Sequence, residues 1–382
     1  MNRKQFIILL VLVAVLGAAG WIIRQRNAGS WQSGGQTIGQ KLLPNFPVND
    51  VAQITIKSGT NELNLAKRDN LWRVRERGDY PANFSQISEF LVKLADLKIV
   101  QTEEIGPSQL GRFELATNSG TQVEFKDQAG KSLGVLLLGK KHTKKSAANP
   151  QFGGAGDESF PDGRYVMAGG AKTVAVISDP LDSADPNPAS WLNKDFFSIE
   201  KPSSIAVQFP EATNSWKLAR ASETNDWQLA DAKPGEKLDD TKISSVTSPF
   251  SSASFNDVLP GNTAPEISGL TNTTALTIES FDGFNYSAKV GPERDGNFPM
   301  TISVSANLPA ERTAAKNEKP EDKAKLDKEF ADHLKTLADK LAKEKQLGNW
   351  IYEVPTYTVD SILKPRADLL ESKTNTTSSA TK

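Results

Sequence analysis

Apolar and polar residues alternate along several short stretches of the chain, which is the pattern of a β-strand with one buried face. The first stretch begins at Val51, and two more follow around Leu65 and Trp72. Short turns of Ser, Gly, Asp and Asn residues separate these three stretches, which predicts an antiparallel meander. Further strands are predicted at residues 123–125, 133–138, 165–167 and 174–177.

A helix is predicted between the meander and the later strands, because a run of apolar residues falls on one helical face. Asn83 precedes the run and can cap the helix, with Gln86 three residues further on. The apolar face consists of Phe84, Ile87, Phe90, Leu91, Leu94 and Leu97. Strands followed by a helix and more strands predict an α+β fold.

The same order of elements recurs in the second half of the chain, where residues 204–209 match the opening strand. The other matched segments are 65–67 with 218–220, 70–72 with 225–227, 123–125 with 276–278, and 162–167 with 295–300. This order predicts two tandem α+β repeats, 48–200 and 201–366, each a mostly antiparallel twisted sheet with a packed helix. The alternative is that strand-turn-strand patterns recur by chance in an α+β protein.

The repeat makes two predictions at the level of single residues. Trp72 and Trp227 should occupy equivalent strand positions, and we expect both to belong to the core rather than to a ligand-binding surface. Tyr165 and Phe298 should be equivalent in the later strands, because each follows an Asp-Gly pair at the same spacing.

Residues 6–23 form an apolar run of eighteen residues without a charge. As a helix the run would span about 27 Å, close to the hydrocarbon thickness of a bilayer. Basic residues flank it on both sides, and the alternative is a signal peptide cleaved near residues 17–19. We expect a transmembrane anchor at 1–26, a flexible linker at 27–47 and a disordered tail at 367–382. This predicts a single-pass inner-membrane protein with its bulk in the periplasm or another extracytoplasmic space.

The second half contains an insertion at residues 309–348 that has no counterpart in the first half. Pro320 is predicted to start a helix that ends near Gly348, with acidic residues first and basic residues last, as suits the helix dipole. Its apolar stripe is narrow, so the helix must dock either on a partner or on its own domain. The stripe consists of Leu326, Phe330, Leu334, Leu337 and Leu341.

A lysine cluster is predicted in a loop at residues 140–163, where it could contact anionic headgroups or an acidic partner. The lysines are Lys140, Lys141, Lys144 and Lys145. The alternative is an ordinary solvated insertion in a hairpin, which would need no ligand.

Composition excludes several classes of function. The chain has 45 basic and 46 acidic residues, which leaves no basic excess for nucleic acid. It has no cysteine, and its two histidines, His142 and His333, lie far apart, so thiolate chemistry is excluded and no zinc site is expected. The sequence has neither a phosphate-binding loop nor a serine nucleophile elbow. We therefore predict no catalytic residues, no cofactor and no metal.

Several short motifs occur in a fixed order along the chain. They are the apolar N-terminal run, LLPNFPVNDV at 42–51 leading into ITIK, the Trp72 strand, Tyr80-Pro81-Ala82, Leu138-Gly139, Tyr165-Val166 and Trp191-Leu192-Asn193-Lys194. This order, over residues 40–370, resembles an uncharacterised bacterial family, the domain of unknown function numbered four-three-four-zero. The family often has an arginine where Met167 stands here, so no role of that arginine carries over. The resemblance implies an exported, membrane-attached protein that accompanies ABC transporters of the gliding-motility type, and it assigns no catalytic residues.

Together these features predict a non-enzymatic, membrane-anchored extracytoplasmic scaffold or adaptor subunit. Its expected partners are the membrane and the integral-membrane subunits of an ABC-transporter-like complex. One alternative is an envelope module that binds a glycan or a peptide in the cleft between the repeats. A hydrolase has the least support, because no catalytic motif is present.

Overall fold

Two antiparallel β-sheets, one in each half of the chain, form the framework of the protein. The computed structural model describes residues 38–104, 107–116, 119–145, 159–169, 173–314 and 318–371. The chain divides after Asn193 into two compact parts, the first unit and the second unit. Helices are few beside the strands, so the fold is α+β and mostly β. The predicted anchor lies outside the described residues, among which no helix is long and apolar enough to cross a bilayer.

The first sheet contains nine strands among the described residues, in the order β4-β3-β2-β1-β6-β7-β8-β9-β5. The predicted alternation is present, since Ile54 and Ile56 of β1 are fully buried while their neighbours are not. The strands are β1 Gln53–Ser58, β2 Asn61–Arg68, β3 Leu71–Val74, β4 Tyr80–Pro81, β5 Ile99–Glu104, β6 Thr121–Lys126, β7 Ser132–Lys145, β8 Ser159–Ala168 and β9 Thr173–Ile177.

One α-helix, α1 at Phe84–Asp96, packs on the first sheet. Asn83 caps it as predicted, because its side chain accepts a hydrogen bond of 3.2 Å from the amide of Gln86. The buried residues of α1 are Ile87, Phe90, Leu91 and Leu94. Phe84, which the sequence assigned to the same face, is instead exposed, because it opens the helix ahead of the first buried turn.

The second sheet contains eight strands among the described residues, in the order β12-β11-β10-β14-β15-β16-β17-β13. The strands are β10 Pro202–Gln208, β11 Trp216–Ala219, β12 Gln228–Leu229, β13 Asp257–Pro260, β14 Thr274–Ser280, β15 Phe284–Val290, β16 Asn297–Ala306 and β17 Trp350–Pro355. The helices are α2 Asp240–Ile243, α3 Pro265–Ser268, α4 Pro320–Lys345 and α5 Thr356–Val359.

The two sheets have the same strand order when β4 is left out and the remaining strands are paired along the chain, beginning with β1 and β10. The two-residue β4 is the one described strand of the first sheet without a match. Cross-strand neighbours agree as well, because segments matched by sequence occupy matched positions in the ladders. One such pair of rows is Leu65–Ile54–Phe125 and Leu218–Ile205–Ile278.

The ladders also locate the two residue pairs that the repeat predicted to be equivalent. Trp227 precedes β12 at the position that Trp72 holds in β3. In the later strands the ladders match residue 166 with residue 300, so Tyr165 corresponds to Pro299 and is one residue out of step with Phe298. The offset arises because the first Asp-Gly pair lies inside β8, whereas the second lies in the turn before β16.

The units extend beyond the boundaries that the sequence predicted. Residues 38–47, predicted as linker, and 194–200, predicted in the first repeat, contribute side chains to the cores, and so does the start of the predicted tail. The buried apolar residues in these segments are Leu42, Leu43, Phe46, Phe197, Ile199 and Leu369. Burial of such side chains is favourable enough to hold a segment without regular structure against a sheet.

Candidate interaction surfaces

The longest described helix, α4, is inserted between β16 and β17. It has 26 residues and is therefore about 39 Å long. In the first sheet the matching connection, between β8 and β9, takes only residues 169–172. The structure thus agrees with the sequence that this helix is an addition to the strand order that both units share.

The C-terminal end of α4 is fixed to the second sheet by a buried carboxylate. Glu344 accepts hydrogen bonds of 3.0 Å from the hydroxyl of Tyr286 and 2.6 Å from the ammonium group of Lys340. Lys340 also donates to the carbonyl of Ser198 at 2.8 Å. Burial, and then the charge of Glu344, hold the pKa of Tyr286 well above its usual value, so the phenol remains a donor.

The N-terminal end of α4 is tied to the preceding segment by Arg312. Its guanidinium group donates to the carboxylate of Glu318 at 2.6 Å and to that of Asp327 at 2.7 Å. These hydrogen bonds raise the pKa of Arg312 above its usual value. Both ends of α4 therefore have polar attachments, and the apolar stripe lies between them.

The apolar stripe of α4 is only partly covered. All five of its residues, Leu326, Phe330, Leu334, Leu337 and Leu341, are half-buried. The one buried residue of the helix is Glu344, at the end of the same stripe. The stripe thus faces the second sheet near Glu344 but keeps accessible apolar surface along its length.

The predicted lysines lie in β7 and do not form one free cluster. A bulge places residues 139 and 140 together opposite Tyr165 of β8. The ammonium group of Lys140 lies 5.4 Å from the ring of Phe113 and 5.7 Å from that of Tyr165. Lys141 pairs with Asp182 at 2.5 Å, and Lys144 is exposed. The side chain of Lys145 lies outside the described part of the chain.

The paired strands β7 and β8 also contain a histidine–aspartate pair that the sequence did not predict. Nδ1 of His142 lies 2.6 Å from a carboxylate oxygen of Asp162, and its ring packs against Tyr165 with centroids 5.6 Å apart. Burial, with smaller effects of Glu103 and Asp162, raises the pKa of Tyr165. The pair joins β7 to β8. In the described residues no hydroxyl group bonds to His142, so the pair lacks the third member of a nucleophilic triad.

The first unit also has an open depression of about 760 Å³ that the sequence did not predict. It lies where the segment before β1 meets the turns between β2 and β3 and between β6 and β7. Its lining is Asn49, Asp50, Val51, Ala52, Lys67, Asp69, Asn70, Asp127, Gln128, Ala129, Lys131 and Leu133. Apart from Asp127, the polar side chains in this lining make no hydrogen bond or ion pair within the described residues.

The fold defines a class, a two-unit antiparallel α+β protein in which one strand order is used twice. The chain belongs to the family described as Domain of unknown function (DUF4340), whose model matches residues 72–273, more than half of the chain. The match begins in β3 and ends directly before β14, so it includes parts of both sheets. No curated protein and no solved structure was found to match the chain.

Proposed function

We propose that this protein is a non-enzymatic, membrane-anchored extracytoplasmic scaffold or adaptor subunit of an ABC-transporter-like complex. In this proposal α4 docks on an integral-membrane subunit of the transporter through its apolar stripe. The observation that carries the proposal is the incomplete burial of that stripe. The apolar run at residues 6–23 supports the membrane attachment.

A comparison of α4 with α1 separates a docking helix from a core helix. The 13 residues of α1 bury four apolar side chains, whereas the 26 residues of α4 bury only Glu344. Full burial of one Leu or Phe side chain is worth about 1.5–3 kcal/mol, so the accessible part of five such residues can contribute substantially to binding a partner. Arg312 pairs with Asp327 near the start of α4, and at its end Glu344 and Lys340 bond to Tyr286 and to the carbonyl of Ser198. Because both ends are held in this way, the stripe is presented in a fixed orientation.

The test is recovery of the transporter's membrane subunits with the full chain in mild detergent. The variant Leu334→Asp/Leu337→Asp places two charges in the stripe and should lower recovery tenfold or more, since about 1.4 kcal/mol corresponds to a factor of ten. The matched control is Lys335→Asn/Thr336→Asp, which makes the same change in charge on exposed residues of the same turn. The control should recover the subunits like the unchanged protein.

Two outcomes would contradict this function. Equal recovery with both variants would show that the stripe binds no transporter subunit. A large fall in melting temperature with the stripe variant alone would show that α4 is an ordinary core helix. The scaffold proposal requires that the stripe variant keeps its melting temperature and loses its partner.

A second candidate function is an envelope module that binds a ligand. The observation that favours it is the depression of the first unit, where polar side chains of both signs, Asp127 apart, have no partner within the described residues. A scaffold can also contain a binding site, so the two functions are compatible. Binding of a small ligand to the protein without any transporter subunit present would support the module.

A further inference from the structure

The second unit shows what occupies the place that corresponds to the depression of the first unit. Lys67, in the lining of the depression, is equivalent to Arg220. The amide of Lys67 donates to the carbonyl of Ala52 at 2.8 Å, and the amide of Arg220 donates to the carbonyl of Ser203 at 3.0 Å. The same backbone contact therefore places Lys67 and Arg220 at equivalent positions in the two sheets.

In the second unit a guanidinium group fills this place. The group of Arg220 lies 4.8 Å from the ring centre of Trp227 and 5.5 Å from that of Phe281. Its Nε donates to the carbonyl of Pro202 at 2.9 Å, and its Nη1 donates to that of Glu223 at 2.8 Å. The cation thus has two aromatic faces and two backbone acceptors, an arrangement that binds guanidinium groups well.

In the first unit, different residues stand at the positions whose side chains fill this place in the second unit. Gln128 stands where the second unit has Phe281, and Trp72 is buried rather than stacked on a cation. Lys67 is shorter than arginine, and within the described residues its ammonium group has no ion-pair or hydrogen-bond partner. The place remains open to solvent as the depression.

The first unit has carboxylates around the same place. Matched through the ladders, two aspartates of the depression stand where the second unit has a lysine and a serine. The pairs are Asp50 and Lys201, and Asp127 and Ser280. Asp69, in the turn between β2 and β3, adds a third carboxylate to the lining. The three carboxylates outnumber the ammonium groups of Lys67 and Lys131 in the lining, so the depression favours a cation.

We infer that the depression binds the guanidinium group of an arginine side chain supplied by a peptide. The incoming group takes the place that Arg220 fills in the second unit, with the backbone at Val51 corresponding to the acceptor at Pro202. The carboxylates of Asp50 and Asp69 attract the guanidinium group by their negative charge, in place of the two aromatic faces that attract it in the second unit. The inference does not depend on α4, so either proposal can fail without the other.

The test measures binding of N-acetyl-arginine methylamide to the full chain in mild detergent by saturation-transfer NMR. N-acetyl-citrulline methylamide is the matched control ligand, because it has the same shape without the charge. We expect the arginine compound to bind, the citrulline compound to bind at least about fivefold more weakly, and added salt to weaken the arginine compound most.

Two variants assign the binding to the depression. Asp50→Asn should weaken the arginine compound about fivefold, whereas Glu114→Gln, which removes an exposed carboxylate elsewhere in the first unit, should not. Lys67→Arg/Gln128→Phe supplies the first unit with an arginine and an aromatic ring at the positions of the second. It should abolish binding without lowering the melting temperature.

Three results would overturn the inference. Equal binding of the arginine and citrulline compounds would show that charge is not recognised. Unchanged binding in Asp50→Asn and in Lys67→Arg/Gln128→Phe would place the ligand elsewhere. Saturation by a neutral oligosaccharide, with no response to the arginine compound, would assign the depression to a polyhydroxylated ligand instead.

Discussion

The two units share a strand order but cover their sheets in different ways. In the first unit α1 buries four apolar side chains against the sheet. In the second unit the corresponding α2 is a single turn, and aromatic residues complete the cover. The cover consists of Phe196, Phe197, Phe250 and Phe255, and it packs on Tyr286 of β15 and Tyr352 of β17. The alternation of apolar and polar residues along the strands therefore specifies the sheet. The layer that covers the sheet can be either a helix or an aromatic cluster.

In both units, nevertheless, the same backbone contact joins the cap of the helix to the last segment of the unit. The amide of Asn83, the cap of α1, donates to the carbonyl of Trp191 at 2.8 Å. The amide of Asp239, the cap of α2, donates to the carbonyl of Leu369 at 3.0 Å. In each unit, the residue before the cap also forms an isolated β-bridge with the residue that follows this carbonyl. We call these segments, 188–193 and 366–371, the closing segments.

The side chains that hold the closing segments differ between the units. In the first unit Trp191 is fully buried, and its indole donates to the carbonyl of Asp185 at 2.8 Å. In the second unit Arg366 is buried and pairs with Asp231 at 2.8 Å and Glu236 at 2.7 Å. One segment is thus held by apolar packing and the other by ion pairs, which respond differently to mutation and to pH.

The largest expected effect is the loss of the buried indole in Trp191→Ala. The ring of Phe90 lies 5.6 Å away, so the substitution leaves a cavity between α1 and the closing segment. We expect the free energy of unfolding of the first unit to fall by about 3–5 kcal/mol. Denaturant unfolding followed by hydrogen exchange in each unit measures this. The control is Trp227→Ala, at the surface of the second unit, and an equal loss there would contradict the contrast.

A smaller effect is expected when residues 309–348 are deleted, because the first unit shows that the strand order does not need α4. The ladder between β16 and β17 remains, but Tyr286 loses the carboxylate of Glu344. We expect a cooperatively folded second unit whose free energy of unfolding is lower by about 1–3 kcal/mol. Circular dichroism during heating measures this. A chain that no longer unfolds cooperatively would show that α4 belongs to the core.

The alternating strands, the helix α1 with its cap, and the repeat could be predicted because each depends on local pattern. The edge strand β5 was missed, since IVQTEE ends in two acidic residues and Val100 is exposed, so the apolar alternation is interrupted. Trp227 was expected in the core but is only partly buried, and the guanidinium group of Arg220 covers its ring. Such a contact depends on the neighbouring strand, which periodicity does not reveal.

The candidate surfaces were predictable to different extents. The stripe of α4 follows from helical spacing alone, and the structure places all five residues on that helix. The pairing of His142 with Asp162 depends on the register of a hairpin across twenty residues, which no local signal provides. The depression could not be predicted, because its lining comes from three separate connections. Its residues can be compared with those of the second unit only when the two sheets are aligned through their ladders.

The smallest expected effect is a pH response confined to the closing segment of the second unit. Hydrogen bonds from Arg366 and from the amide of Lys233 lower the pKa of Glu236 to about 2, below its usual value of 4.5. A carboxyl group whose pKa is lower in the folded state stabilises the fold above its unfolded pKa. This contribution is therefore complete above pH 4.5 and is lost as the pH falls towards 2.

Hydrogen exchange of the two closing segments should therefore diverge in acid. Between pH 4.5 and 2, after correction for the intrinsic exchange rate, residues 366–371 should lose protection before residues 188–193 do. Glu236→Gln keeps an acceptor but removes the charge, so it should show the lower protection already at pH 7 and a flatter pH response. Trp191 has no titratable group, and the indole contact should persist across the same window. If both segments lost protection together, the contrast between apolar packing and ion pairing would not explain how the units close.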